Sequence, residues 1–283
     1  MADLQMPPAR AYGWELKPTS STFFEINRRE NGQFSVVLNH ALLRGVTADM
    51  IYWWFLNFPN LKVRLIDIPG YEDKIVSAYL LWHPSDHVDA QLKGALGLGG
   101  TSQVGAKIHI REAMQYLKHG LRFPVDAAMT IFYCADDGWA MGKKLPLLGP
   151  AMCLRIHYRD VEEDGKHIGV HYHYEIVVGL SGGDPLSRFI NGKLTGHYPP
   201  EFFEAWHLHN TIEVGVFENF LPALYAQRET PEALEFSRDM DAAPGSPADQ
   251  KGFDPALFKR RVEGYRAAQD PFEFQAFEAA SFL

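Results

Sequence analysis

Cysteine is scarce in this chain, with Cys134 and Cys153 the only two among 283 residues. That is too few for a disulfide framework, and neither belongs to a metal-type Cys-x-x-Cys pair, so a reducing, intracellular setting fits best. Clustered positive charge is also missing. The net charge is -8 with the acids dispersed, which excludes the cationic face that a nucleic-acid partner requires. No apolar run approaches the length of a bilayer span, and the first ten residues lack the apolar centre of a signal peptide. A soluble, cytoplasmic chain with no membrane partner is expected. Glycine clusters at residues 94–100, but no Gly-Lys-Ser/Thr follows, which favours a flexible lid over a phosphate cradle. Ser187 lies in no nucleophile elbow, and neither cysteine has the surroundings of an activated thiolate.

What the sequence does have is apolar residues, 46% of the total, enough for one large core. Thr47 reads as an N-cap, with Asp49 in the first turn of a helix that carries Met50, Trp53, Trp54 and Phe55 and stops at Pro59. Residues 34–38 form a short strand. Alternating, β-branched segments at 62–68, 75–82, 107–112, 127–135, 152–161 and 167–178 predict a large antiparallel sheet. Residues 199–227 open on a proline pair and predict one long helix packed on that sheet, with His209, Glu213, Val216, Phe217, Phe220 and Leu224 along one face. A linker at 241–252 precedes a short polar helix and an aromatic-rich end that could close over a pocket or reach a second subunit, as in a homodimer. The expected division is an N-terminal extension (1–60), a main domain (61–230) and a C-terminal linker and tail (231–283).

Several polar residues fall on apolar faces. His209 and Glu213 stand one helical turn apart on the stripe that should face the sheet, so an imidazole and a carboxylate can converge on one cation. The plain alternative is an exposed i,i+4 pair at the edge of the stripe. In the strand at 107–112, alternation puts Glu112 with Ile108 and Ile110, opposite His109 and Arg111. Two inward acids need a shared cation or a shared proton, unless Glu112 ends its strand and turns into solvent. Pro84 ends the strand before it, so His83, Asp86 and His87 lie on a turn at the mouth of the sheet. Either histidine could be a ligand, Asp86 could orient one of them, or the group could be structural. His171 and His173 read as an exposed pair opposite Tyr172.

The helix Met50-Ile51-Tyr52-Trp53-Trp54-Phe55, the run from Tyr79 to His87, the strand Ile108-His109-Ile110-Arg111-Glu112 and the pair His209-x-x-x-Glu213 together resemble the diacetylphloroglucinol hydrolase and phloretin hydrolase family. The resemblance covers separated motifs between Gly45 and Leu224. It implies an α+β helix-grip fold, like that of Bet v 1 and START proteins, in which a curved antiparallel sheet holds a long C-terminal helix. It also implies one Zn2+ per chain, or another divalent metal, held by His87, Glu112, His209 and Glu213, with His83 the rival for the first position. The implied activity is hydrolysis of the carbon-carbon bond between a phenolic ring and an acyl group, the substrate being a small phenolic ketone. Tyr79 and Tyr172 match tyrosines that contact phenolic hydroxyls, and His157 matches a catalytic histidine, although alternation groups His157 with Arg155 and Arg159 rather than with Leu154 and Ile156. The family's arginine and aromatic string is replaced here by Tyr174-Glu175-Ile176-Val177. Two other classes stay open: a non-catalytic helix-grip carrier of hydrophobic ligands, and an iron oxygenase-like enzyme acting on aromatic polyketides.

Overall fold

A computed structural model describes residues 4–237, apart from Glu15, Ala95 and His197. The expected linker at 241–252, the polar helix and the aromatic-rich end lie outside the described residues.

The main sheet has eight antiparallel strands in the order β1-β2-β10-β9-β8-β7-β6-β5. These are β1 (Thr22–Arg28), β2 (Phe34–His40), β5 (His87–Lys93), β6 (Lys107–Ala113), β7 (Pro124–Ala135), β8 (Gly138–Leu145), β9 (Gly149–Glu163) and β10 (Lys166–Val178). Because β2 pairs with β10, the sheet begins well before residue 61, and much of the expected N-terminal extension belongs to it. Register shifts at His87/Asp89, Ile131/Tyr133, Lys143/Lys144 and His167/Gly169 supply the bulges that bend antiparallel strands.

The expected strands at 62–68 and 75–82 do not join this sheet. Their shorter counterparts, β3 (Lys62–Leu65) and β4 (Lys74–Ser77), form a small second sheet with β11 (Leu234–Phe236). After β4 the chain tightens into a 3-10 turn over Ala78–Leu80, so Tyr79 is placed by a turn and not by alternation with Ile75, which is exposed.

Helix α1 (Ala48–Asn57) starts as expected, the Thr47 hydroxyl accepting from the Met50 N–H at 3.2 Å. Trp54 and Phe55 enter an aromatic core, Phe55 stacking on Trp139 at 5.0 Å. A four-residue turn of helix, α2 (Tyr116–His119), leads into β7. Helix α3 (Pro185–Thr195) is an element the hydrophobic pattern did not signal. Asp184 caps it by accepting from the Leu186 and Ser187 N–H groups, each at 3.0 Å, and the Ser187 hydroxyl also donates to Asp184. Ser187 is thus a capping residue.

The expected long helix is two, α4 (Pro200–Gly215) and α5 (Phe217–Ala226), broken at Val216. Pro222 cannot donate to the Glu218 carbonyl, and the Asn219 N–H bonds to Val216 at 2.9 Å, a tightened i to i+3 turn. Glu218 is buried and pairs with Lys17 of the N-terminal segment, while accepting from the Arg44 N–H at 2.8 Å. The pair ties the chain at Lys17 to α5. The sheet and its C-terminal helices form a helix-grip α+β fold. Among the described residues no helix is long and apolar enough to cross a membrane.

Candidate metal centre

The structure brings together the four residues that the resemblance nominated. His87 Nε2 lies 3.4 Å from Glu112 Oε2 and 3.5 Å from Glu213 Oε1, and His209 Nε2 lies 3.8 Å from the same Glu112 oxygen. His87 and His209 are buried, as is Glu112 at 8% exposure. Buried His, Asp and Glu groups of this kind could hold a metal.

His87 reaches the site through a backbone irregularity. It pairs with Glu112, Asp89 with Arg111 and Ala90 with Ile110, so the one-residue slip at Val88 falls between His87 and Asp89. Without that bulge His87 would share the outward face of Asp89, since residues two apart point the same way. With it, His87 turns inward beside Glu112, a common use of a bulge at a site. Its Nδ1 stands 2.9 Å from the Tyr79 carbonyl. A carbonyl only accepts, so Nδ1 carries a proton, and Nε2 is the ring atom that faces the two acids. That Nε2 is buried and has no hydrogen-bond partner among the described residues. The Tyr79 ring stacks on the imidazole at 3.9 Å and 7°, and its hydroxyl donates to Glu112 Oε2 at 2.7 Å. Burial, then the Glu112 charge, raises the Tyr79 pKa well above the usual phenol value, so it stays a donor.

His83, the rival ligand, is engaged at one nitrogen, while its buried Nε2 makes no hydrogen bond among the described residues and the ring groups with Asp86 and His209 as a second set that could hold a metal. Its Nδ1 accepts from the Ser85 and Asp86 N–H groups at 3.3 and 3.1 Å, and its Nε2 faces Asp86 at 3.4 Å. Its ring lies flat against His209 at 4.7 Å. Burial, then neighbouring His209, depresses its pKa, so it stays neutral. Asp86 is an anchor. It accepts from the Gln115 and Tyr116 N–H groups, at 2.6 and 3.0 Å, and holds His209 Nδ1 at 2.9 Å. Burial by itself would raise the Asp86 pKa, but the hydrogen bond and charge of His209, with the Gln115 N–H, outweigh it and depress the group. For His209, burial would lower the pKa; the Asp86 hydrogen bond, followed by the charges of Glu112, Asp86 and Glu213, prevails and lifts it to about 9. In the metal-free protein His209 is therefore an imidazolium that partly offsets the buried acids.

A cavity of about 300 Å³ opens beside these residues. Glu112, His209 and Glu213 line it at one end, with Tyr79, Tyr172, Tyr174 and Asn210. Much of the remaining wall is apolar and includes Met114, Met129, Met141 and Met152, flexible side chains that suit variable ligands. Burial holds the Tyr172 and Tyr174 hydroxyls well above the usual phenol pKa, the Glu213 charge adding to the effect.

His157 does not reach this cavity. It is opposite in parity to Leu154 and Ile156, which line the wall, and it pairs across the sheet with Gly138 and His173. Alternation sends it to the outer face, which removes it from contact with a ligand in the cavity. His171 and His173 share that outer side, His173 Nδ1 lying 2.6 Å from Asn39 Oδ1. Nor is the glycine-rich stretch a lid. The Gly100 carbonyl accepts from Asn60 at 2.5 Å and the Ser102 N–H bonds to Leu56 at 2.7 Å, holding the stretch against the end of α1, and none of the described residues from 94 to 106 lines the cavity.

Compared with known proteins, the sequence matches no protein-family model and no curated protein. Solved structures with some likeness include SA2116, a protein of unknown function from Staphylococcus aureus, at 8% identity over 69% of this chain and 96% of that one, with a TM-score of 0.34. Ara h 8.0201 is 10% identical over 66% of this chain and 98% of that one, with a TM-score of 0.33. CalU16 from Micromonospora echinospora is 14% identical over 69% and 98%, with a TM-score of 0.29. The helix-grip assignment rests on the chain's own sheet order and helices.

Proposed function

We propose that this chain is a metal-dependent hydrolase that cuts the carbon-carbon bond between a phenolic ring and an acyl group, with His87, Glu112, His209 and Glu213 holding one divalent cation, zinc by preference. One observation carries the reading: the buried His87 Nε2 makes no hydrogen bond among the described residues, although Glu112 and Glu213 face it from 3.4 and 3.5 Å. A buried nitrogen facing two carboxylates with no hydrogen bond to either is an arrangement suited to a cation bound by nitrogen and oxygen. When bound, zinc supplies Lewis-acid polarisation of a carbonyl and lowers the pKa of water to about 7.

In the overall reaction water is divided between the fragments. The acyl carbon gains the hydroxyl and becomes a carboxylic acid, while the ring carbon gains hydrogen. The chain's own groups orient the substrate. Tyr172 and Tyr174 keep their protons at neutral pH, so they would donate hydrogen bonds to phenolic oxygens. Tyr79 has committed its hydroxyl to Glu112 and acts by fixing that carboxylate and the His87 ring. Trp82, Trp139 and Trp206 wall the cavity against water, and the methionines accommodate the acyl chain.

The test compares metal-stripped and zinc-loaded protein on a panel of acylphloroglucinols, with the free acid and the deacylated ring quantified. Equal rates from the two forms would exclude the reading. A carrier of hydrophobic ligands is the second reading, favoured by the apolar wall. Stoichiometric binding of a phenolic ketone without turnover by zinc-loaded protein supports that carrier.

A further inference from the structure

Three of the four proposed ligands have identified supports: Tyr79 holds His87 and Glu112, and Asp86 holds His209. The fourth, Glu213, is reached from another side of the fold. Asn210 donates through Nδ2 to Glu213 Oε2 at 3.0 Å, and its Oδ1 lies 2.9 Å from His40 Nε2. Both His40 and Asn210 are buried, at 5% and 2% exposure.

The chemistry of the partners orients the whole chain. A carboxylate only accepts, so the amide NH2 must face Glu213 and the amide oxygen must face His40. His40 therefore donates from Nε2, which selects its Nε2–H tautomer. Asn210 could satisfy Glu213 with its amide in only one of two orientations, and the imidazole on β2 removes the other. The His40 ring also meets Tyr172 edge-on, with centroids 5.5 Å apart at 87°, so one side chain from β2 braces both a proposed ligand and a tyrosine of the cavity.

We propose that His40 and Asn210 are positioning residues that hold Glu213 Oε2 and leave Oε1, the oxygen 3.5 Å from His87 Nε2, turned toward the cation site. The assignment rests on the proposed metal centre and goes beyond it, since neither residue is a ligand.

The test measures zinc affinity by chelator competition and the visible absorption of cobalt-substituted protein, which reports coordination geometry apart from turnover. Asn210→Leu removes the donor at similar volume, and Asn210→Asp replaces it with a second acceptor. Each is expected to weaken zinc binding by about 10- to 100-fold and to alter the cobalt spectrum, the usual consequence of losing a ligand's hydrogen-bond partner. His40→Phe should move both readouts in the same direction. His40→Gln, which can still donate to the Asn210 oxygen, should restore them. Thr211→Val, which removes a buried hydroxyl on the same helix that bonds to Thr22 and His207 instead, should leave both unchanged.

Folded Asn210 variants with the parent's zinc affinity and cobalt spectrum overturn the proposal. If those variants do not fold, nitrogen-15 shifts of His40 in the unaltered protein decide: an Nε2–H tautomer supports it, and an Nδ1–H tautomer overturns it. A parent that binds zinc but deacylates nothing removes the hydrolase reading and leaves this assignment standing. A parent that binds no metal removes both.

Discussion

Metal-free protein should lose stability as pH rises from about 6.5 to about 9, and His209 is the reason. Its folded pKa of about 9 stands above the unfolded value of about 6.5. The folded state therefore holds a proton that the unfolded state releases between those values. The stabilisation is fully present below pH 6.5 and is lost as pH rises through 9. At about 1.4 kcal/mol per pH unit the shift amounts to roughly 3 kcal/mol, or about 6 to 12 °C in melting temperature for a chain of this size. His83 and His40 stay neutral throughout, because burial depresses the first well below its usual value and the second to about 3. Asp86 stays charged, since His209 and backbone N–H groups hold its pKa low. Cation binding needs the His209 Nε2 lone pair, so zinc should displace about one proton near pH 7.5, and its affinity should rise about tenfold per pH unit up to 9. Melting curves between pH 6 and 9.5 with chelator, for the parent and for His209→Gln, test the first statement. Calorimetric zinc titrations in buffers of different ionisation enthalpy test the second. A flat stability profile, or zinc uptake without proton release, would refute the reasoning.

Tyr79→Phe keeps the ring stacked on His87 but leaves Glu112 without its donor; zinc affinity measured by chelator competition should fall about 10- to 100-fold, and unchanged affinity would remove Tyr79 from its positioning role. Glu112→Gln or Glu213→Gln, followed by metal analysis, should leave the protein without stoichiometric zinc, and full occupancy in either would count against that ligand. Glu218→Gln strands a buried Lys17 ammonium and should lower unfolding free energy by roughly 3 to 5 kcal/mol, read from urea curves; a change below about 1 kcal/mol would mean the pair is solvated. His157→Gln should keep kcat within a few fold, because the side chain is on the outer face; a loss of about 100-fold or more would restore it as a proton donor.

The residues of the site were legible in the sequence, and their company was legible only in part. Period-two alternation put Glu112 with Ile108 and Ile110, and helical spacing put His209 and Glu213 on one face; these are local geometries that any regular strand or helix enforces. The outward direction of His157 followed from the same alternation, which outweighs its apparent match to a catalytic histidine. The short strands β5 and β8 left weak patterns. In β8 a Cβ at Gly142 would fall 2.0 Å from the Met152 carbonyl, a close approach of neighbouring strands that sequence periodicity does not encode.

Tertiary structure decided what depends on partners distant in the chain. Local pattern does not reveal that a bulge at Val88 turns His87 inward, because a bulge is defined by the register of the opposite strand. Nor does it separate His83 from His87, which have the same chemistry in the same turn; the fold distinguishes them, the Ser85 and Asp86 N–H groups binding His83 Nδ1 while the Tyr79 carbonyl takes His87 Nδ1. The sequence by itself determined which side chains face inward along each element. The fold determined which of them meet, since convergence from β5, β6 and α4 is set by how the curved sheet closes on its helix.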